Sequence, residues 1–444
     1  MIKNKNFRIA VLIAGALAAS GCGIFKKGKA ASTPVLGKRI PVLASEGDVQ
    51  IDLATAALPI TLPPPVTNTE WTQPGGNASK SMGQLALGTA LNRAFTVQAG
   101  KGSSLTMRLA SAPVVANGRV YTIDTLGAVR SFDAQTGRQV WASQTPNERG
   151  EEASLYGGGI AYDNGHIYAT NGLGFVAALD ERTGGIIWKV RPGGPLRGAP
   201  TVANNALYVI SQDNQIYSLN EADGSTNWSQ AASLEIAGIF GSASPAVGQG
   251  TVAAGFSSGE LNAYRYENGR QVWSDTLQRT SIRTSVSSLS DVDADPVIDS
   301  GQVFAVGQGG RMVALDILTG QRLWELNIAG IDTPWVAGDW IYVITDDAKV
   351  LCIYRQNGHI RWINQLPQFV KAKSKRGQIE YSGPVLAGGR LIVTGSNGAL
   401  INIDPTTGAF QGQSTIGVSV SLSPVVANST LYIYDDRGQL HAFR

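Results

Sequence analysis

The stretch "SLSDVDADPV" (Ser288–Val297) puts Asp291, Asp293 and Asp295 at alternate positions in a chain with 33 acidic residues among 444. Carboxylates so spaced could hold a calcium ion, serve acid–base chemistry, or face a basic partner. A calcium loop opening Asp-x-Asp-x-Asp requires Gly at its sixth position and an acidic residue at its twelfth. Counted from Asp291, those positions hold Pro296 and Gln302, so the metal reading fails. "GFSSG" (Gly255–Gly259) has the letters of a nucleophile elbow, but that elbow joins a strand to a helix. Here it separates two strand-like runs and is predicted to be a hairpin turn. His166, His359 and His441 stand far apart with no His or Cys at ligand spacing, which predicts solvent or turn positions and no metal centre. "FVKAKSKRGQIEY" (Phe369–Tyr381) gathers Lys371, Lys373, Lys375 and Arg376. A solvated loop is expected there, with lipid headgroups or an acidic partner surface as the alternative.

The elements that must position these residues come from a repeat. Aligned on Trp, "GAVRSFDAQTGRQVW" ends at Trp141, "GFVAALDERTGGIIW" at Trp188 and "GRMVALDILTGQRLW" at Trp324. Weaker copies end at Trp228, Trp273 and Trp362, and a seventh, "GALINIDPTTGAFQG", has Gly412 in the Trp slot. Upstream of each lie two alternating apolar runs broken by tight turns, as in "APVVANGRVYTID". Four short antiparallel strands recurring every 38 to 51 residues predict a β-propeller. Each repeat Trp recurs from blade to blade, so it is read as structural, packing between neighbouring blades. The last copy, "SPVVANSTLYIYDDRGQLHAFR", stops after three strands. The unattached Trp71 in "NTEWTQPGG" is predicted to complete it. The expected fold is therefore all-β: an eight-bladed propeller of four-stranded blades over 69–444, closed by N- and C-terminal strands in one blade.

The N-terminus reads as a targeting segment. Lys3, Lys5 and Arg8 precede "IAVLIAGALAA", which is too short to span a membrane, and "AASGC" then resembles a bacterial lipobox ending at Cys22. Residues 1–21 are the expected signal peptide and Cys22 the expected site of lipid attachment. Gly23 follows where Asp would favour inner-membrane retention, which points to the outer membrane. Losing residues 1–21 removes three positive charges and leaves a neutral chain, without an electrostatic footprint for nucleic acid. The only other cysteine is Cys352, so no disulfide can form within the propeller. Residues 22–68, with "LPITLPPPVTNTE", are predicted to be a disordered Pro-rich linker reaching roughly 40 Å.

The "LDxxTGxxxW" repeats resemble the quinoprotein (PQQ-type) propeller repeat. A lipoprotein built only of them resembles the BamB family of the outer-membrane β-barrel assembly (BAM) machinery, over residues 69–444. The phrase "LSDVD", carried by that family just before its fifth blade, is the most specific match. The resemblance implies a non-enzymatic scaffold without a cofactor, anchored on the periplasmic face of the outer membrane. Its implied partners are the POTRA domains of BamA, other BAM components and unfolded outer-membrane precursors. BamA contacts are implied at Asp291 and Asp293, with Leu289 beside them; Asp295 has no such support. A second family contact, an Arg with leucines between blades three and four, corresponds to "SLEIAGIFGSASP" with Ile239 and Phe240, and Phe240 stands where the Arg is expected. The alternative is a PQQ- and calcium-dependent dehydrogenase or sensor. Such enzymes commonly carry an adjacent Cys pair, which this chain lacks.

Overall fold

The computed structural model describes residues 49–151, 154–196, 198–234, 243–277 and 291–444. Cys22, Ile239, Phe240 and Leu289 lie outside the described residues, as do the signal peptide and the linker up to residue 48. Seven four-stranded sheets span 114–144, 160–190, 201–231, 246–276, 297–326, 335–365 and 381–415. The eighth joins the last three strands, 425–443, to the N-terminal strand Arg93–Gln98. Each blade runs from an inner strand at the channel to an outer strand, and every pairing within a blade is antiparallel. The fold and its closure by both termini are as the repeat predicts.

The repeat residues explain the blade. In blade one the Asp133 carboxylate accepts hydrogen bonds from the Thr136 amide at 2.8 Å and its hydroxyl at 2.7 Å, bending the third strand into the outer one. Asp180–Thr183 and Asp316–Thr319 repeat this turn. Gly184 carries φ +73°, a conformation costly for residues with a Cβ. A Cβ there would also lie 2.6 Å from the Trp141 ring of the preceding blade. The Trp141 indole then donates to the Glu181 carbonyl at 2.8 Å. Trp188, Trp228, Trp273, Trp324 and Trp362 donate in the same way to the next blade's turn, at 2.7–3.1 Å. One side chain thus fastens each of blades one to six to its successor, whereas blade seven has Gly412 in that slot.

Trp71 does not supply the closing strand. Arg93–Gln98 does, with Phe95 opposite Ala442 and packed over Gly137 of blade one, so that Phe95 takes the Trp slot. Trp71 sits instead in the channel, almost fully buried, exchanging backbone hydrogen bonds with Val115 and stacking on Trp335 at 6.2 Å. The reason lies in its surroundings: Trp71 has no Asp-x-x-Thr-Gly turn ahead of it and is followed by Pro74-Gly75-Gly76, which bends the chain across the channel.

Residues 68–85 form a strap that visits the innermost part of every blade in ring order. Asn68 bonds Val426 and Asn428 of blade eight, Trp71 bonds Val115 of blade one, and Thr72 accepts from Tyr162 of blade two. Gln73 exchanges side-chain bonds with Val202 of blade three, and Ala78 and Ser79 accept from Val247 and Ile298 of blades four and five. Gly83 accepts from the Trp335 indole of blade six, and Leu85 bonds Leu386 and Gly388 of blade seven. Upstream, Asp52 caps the one-turn helix α1 (Leu53–Ala56), which lies on the outer strand of blade six, where Arg361 donates to the carbonyls of Thr55, Ala56 and Leu58. Residues 49–68, predicted to belong to the disordered linker, are therefore instead held against the propeller. Their composition prevents them from burying a core of their own, but the propeller supplies partners for their backbone groups.

Candidate functional site

Above the strap the channel opens into a cavity of about 300 Å³. Trp71, Pro74, Gly75 and Lys80 form its floor, and its walls are the leaders into the inner strands, including Leu109, Asp293, Asp332 and Leu422, together with Tyr381 at the start of blade seven's inner strand. Arg108 and Glu380, both more than half exposed, face each other at 3.7 Å on its rim. A groove of about 290 Å³ adjoins it, lined by Gln308, Asp346 and Gln378, and shares Ile331, Asp332, Glu380 and Tyr381 with the cavity.

The three aspartates of the opening phrase have three separate environments. Asp295 is buried and accepts from the Ser244 amide at 2.7 Å. Its charged neighbour is Lys80 of the strap, whose ammonium donates to the Thr201 hydroxyl at 3.1 Å. Burial brings Lys80 down to about 8 and pushes Asp295 up, and each charge partly offsets the shift of the other. This pair holds the strap to blades three to five at the floor of the cavity. Asp291 is also buried, behind Val292, which packs against Gly255. Asp293 and Asp295 both line the cavity, and Asp293, half-buried in its wall, is the more accessible of the two. Two carboxylates presented side by side to solvent, as the alternation predicts, are therefore not found: Asp291 is buried and Asp293 is only half-buried.

Asp293 titrates near 7, pushed up by burial and then by Asp291 and Asp346. Asp332 is likewise raised to about 7, mainly by burial, with hydrogen bonds from the Gly383 amide and the Ser423 hydroxyl opposing the rise. Burial and Asp347 raise Asp346 to about 6. The open end of the channel is thus acidic and poorly neutralised. Asp332 and Asp346 were missed from sequence, although one signal was available for Asp332. In the leaders that end in Pro before an inner strand, small residues such as Ala, Gly and Ser dominate, as in "ASAP" and "SLSP". Aspartates enter only "DADP" and "IDTP".

The raised Asp332 has a stability consequence. Between about pH 4 and 7 the unfolded carboxyl loses its proton while the folded one keeps it, so stability falls as pH rises through this window. Asp332→Asn is expected to raise the melting temperature by a few degrees at pH 8 and to leave it unchanged near pH 4. Thermal melts at the two pH values test this, and equal shifts at both would contradict it.

The other motifs are structural. Ser257 and Ser258 lie in the turn between the second and third strands of blade four, bonded to Asn214 and Glu260. His441 is buried between Asp435 at 2.8 Å and Thr96 at 3.0 Å, contrary to the solvent or turn position expected for it. His359 is half-exposed at a turn near Asp52. Cys352 is buried in blade six. Among the described residues no three of His, Cys, Asp and Glu converge as metal ligands. A pyrroloquinoline quinone carries three carboxylates, and it does not fit this cavity. Asp293 and Asp332 would repel it, while Lys80 and Arg108 each already face an acidic neighbour.

Solved structures share the fold. BamB from Moraxella catarrhalis superposes with a TM-score of 0.65 at 18% identity, covering 80% of this chain and 100% of that one. A europium-containing methanol dehydrogenase superposes with a TM-score of 0.66 at 13% identity, covering 84% and 98%. In sequence, the outer membrane protein assembly factor BamB of Vibrio cholerae is 31% identical over 333 residues, 74% of this chain and 82% of that protein. The Yersinia pestis protein of the same name is 26% identical over 329 residues, covering 73% and 81%. The family model described as outer membrane protein assembly factor BamB matches residues 102–155 and 126–364. By that match and by the Vibrio relative, the chain belongs to the outer membrane protein assembly factor BamB family.

Proposed function

We propose that the protein is a non-enzymatic scaffold of the BAM complex, held at the periplasmic face of the outer membrane by a lipid on Cys22. Its open channel end would bind the POTRA domains of BamA and so assist the insertion of outer-membrane proteins. Family membership supports the coarse role. The observation that carries the finer reading is the position of Asp293. It is the residue of the "LSDVD" phrase that reaches the open cavity, in an acidic setting suited to a basic side chain of a partner. Asp291 supports it from behind, and the contribution of Leu289, Ile239 and Phe240 belongs to the same proposal.

The test is affinity purification of the full chain from mildly solubilised membranes, with fatty-acid labelling in parallel. BamA should co-purify, and label should enter the wild-type chain but not Cys22→Ser. Absence of BamA, or turnover of alcohols after addition of pyrroloquinoline quinone and calcium, would contradict the reading.

A further inference from the structure

The basic stretch between blades six and seven is not an irregular loop. Phe369–Lys371 and Arg376–Gln378 form a two-stranded antiparallel hairpin, the one sheet outside the eight blades among the described residues. Its base is fixed: the Ile379 amide donates to Gln368 O at 2.9 Å, Gln368 Nε2 to Asp347 O at 2.8 Å, and the Tyr381 hydroxyl to Pro367 O at 2.9 Å. Beyond the base nothing is buried; every residue from 370 to 378 is exposed, Val370 included. Isolated two-stranded hairpins are marginal in water, and this one adds nothing to the core.

Its charge is concentrated and unspent. Lys371, Lys373, Lys375 and Arg376 make no ion pair among the described residues. No acidic residue occurs between Asp347 and Glu380. The hairpin stands beside the acidic groove, since Gln378 lines it together with Asp332 and Asp346. Those carboxyl groups are shifted by burial and by other aspartates, without relief from the hairpin cations. One face of the ring therefore displays separate acidic and basic regions. A bilayer fits less well. The chain from the N-terminal side joins blade six at Ile360, the first residue of the outer strand, whereas the hairpin follows Gln365, its last. The exposed part of the hairpin also offers only Val370 and Ala372 as apolar side chains, too little to anchor it in a membrane.

We infer that the hairpin is an orienting contact that takes an acidic patch on the same protein partner that docks at Asp293. This rests on the docking reading above. Eight similar blades offer a partner eight similar rotational settings. A charged projection at a single junction, together with acidity at the centre, makes one setting preferred and steers the encounter.

The test uses the mature full-length chain in detergent and the soluble periplasmic domains of BamA, with association and dissociation rates measured at low and high salt. Reversing Lys371, Lys373, Lys375 and Arg376 to Glu should slow association about tenfold at low ionic strength. The effect should vanish at high salt and leave dissociation and the melting temperature unchanged. An unchanged association rate at low salt overturns the inference. So does a variant whose only loss is adsorption to phosphatidylglycerol vesicles relative to phosphatidylcholine, which would assign the hairpin to the membrane. Asp293→Lys, run alongside, keeps the two readings apart. If that variant binds normally while the hairpin variant is slow, the docking site fails and the hairpin stands; the reverse result removes only the hairpin.

Discussion

Trp71→Ala is expected to destabilise the propeller by about 3–5 kcal/mol, the usual cost of truncating a buried large aromatic. Trp71 is 3% exposed and stacks on Trp335, whose indole holds Gly83 further along the strap. Its loss leaves a void at the hub and loosens the bonds that the strap makes on either side, to Val115 and to Tyr162. The channel floor would also lose one of its walls, so the change should be felt at the cavity as well as in the melt. Thermal or urea unfolding checks this. A variant with wild-type stability would mean that the strap merely rests on the ring.

What the sequence disclosed and what it hid divide along one physical line. The blades were legible because they are built from local rules: alternation for strands, Asp and Thr-Gly for the turn, Trp for the lock to the next blade. The strap was not legible, because each of its residues pairs with a strand far away in sequence and it has no period of its own. Pro63, Pro64 and Pro65 signalled a segment unable to fold alone and said nothing of a surface waiting for it. Phe95 was overlooked for a related reason: its register is set by Ala442, nearly the whole chain away. At the candidate site the phrase "SDVD" marked the correct place, but burial separated its two aspartates in a way that strand alternation cannot foresee. Lys80 had no signal at all, being a lone lysine in a Ser- and Gly-rich stretch.

The buried position of Asp291 also decides how the docking claim should be tested. A lysine there would put an ammonium into the core, and lost binding would report unfolding. Asp293 is free of that difficulty because it reaches the cavity. Replacing it by lysine reverses the charge offered to a basic partner. Contacts between charged groups at an interface commonly cost 2–5 kcal/mol when broken, so the dissociation constant should rise at least about 30-fold. The melting temperature should hold or rise, since a carboxyl pushed up to about 7 is itself a cost to the fold at neutral pH.

The most direct measurement is a titration of the soluble periplasmic domains of BamA onto the mature chain and its Asp293→Lys variant, with circular dichroism melts of both. The account predicts saturable binding to the wild-type chain and a folded variant that binds at least about 30-fold more weakly. A folded variant that binds with wild-type affinity would contradict the assignment of the open channel end as the docking site.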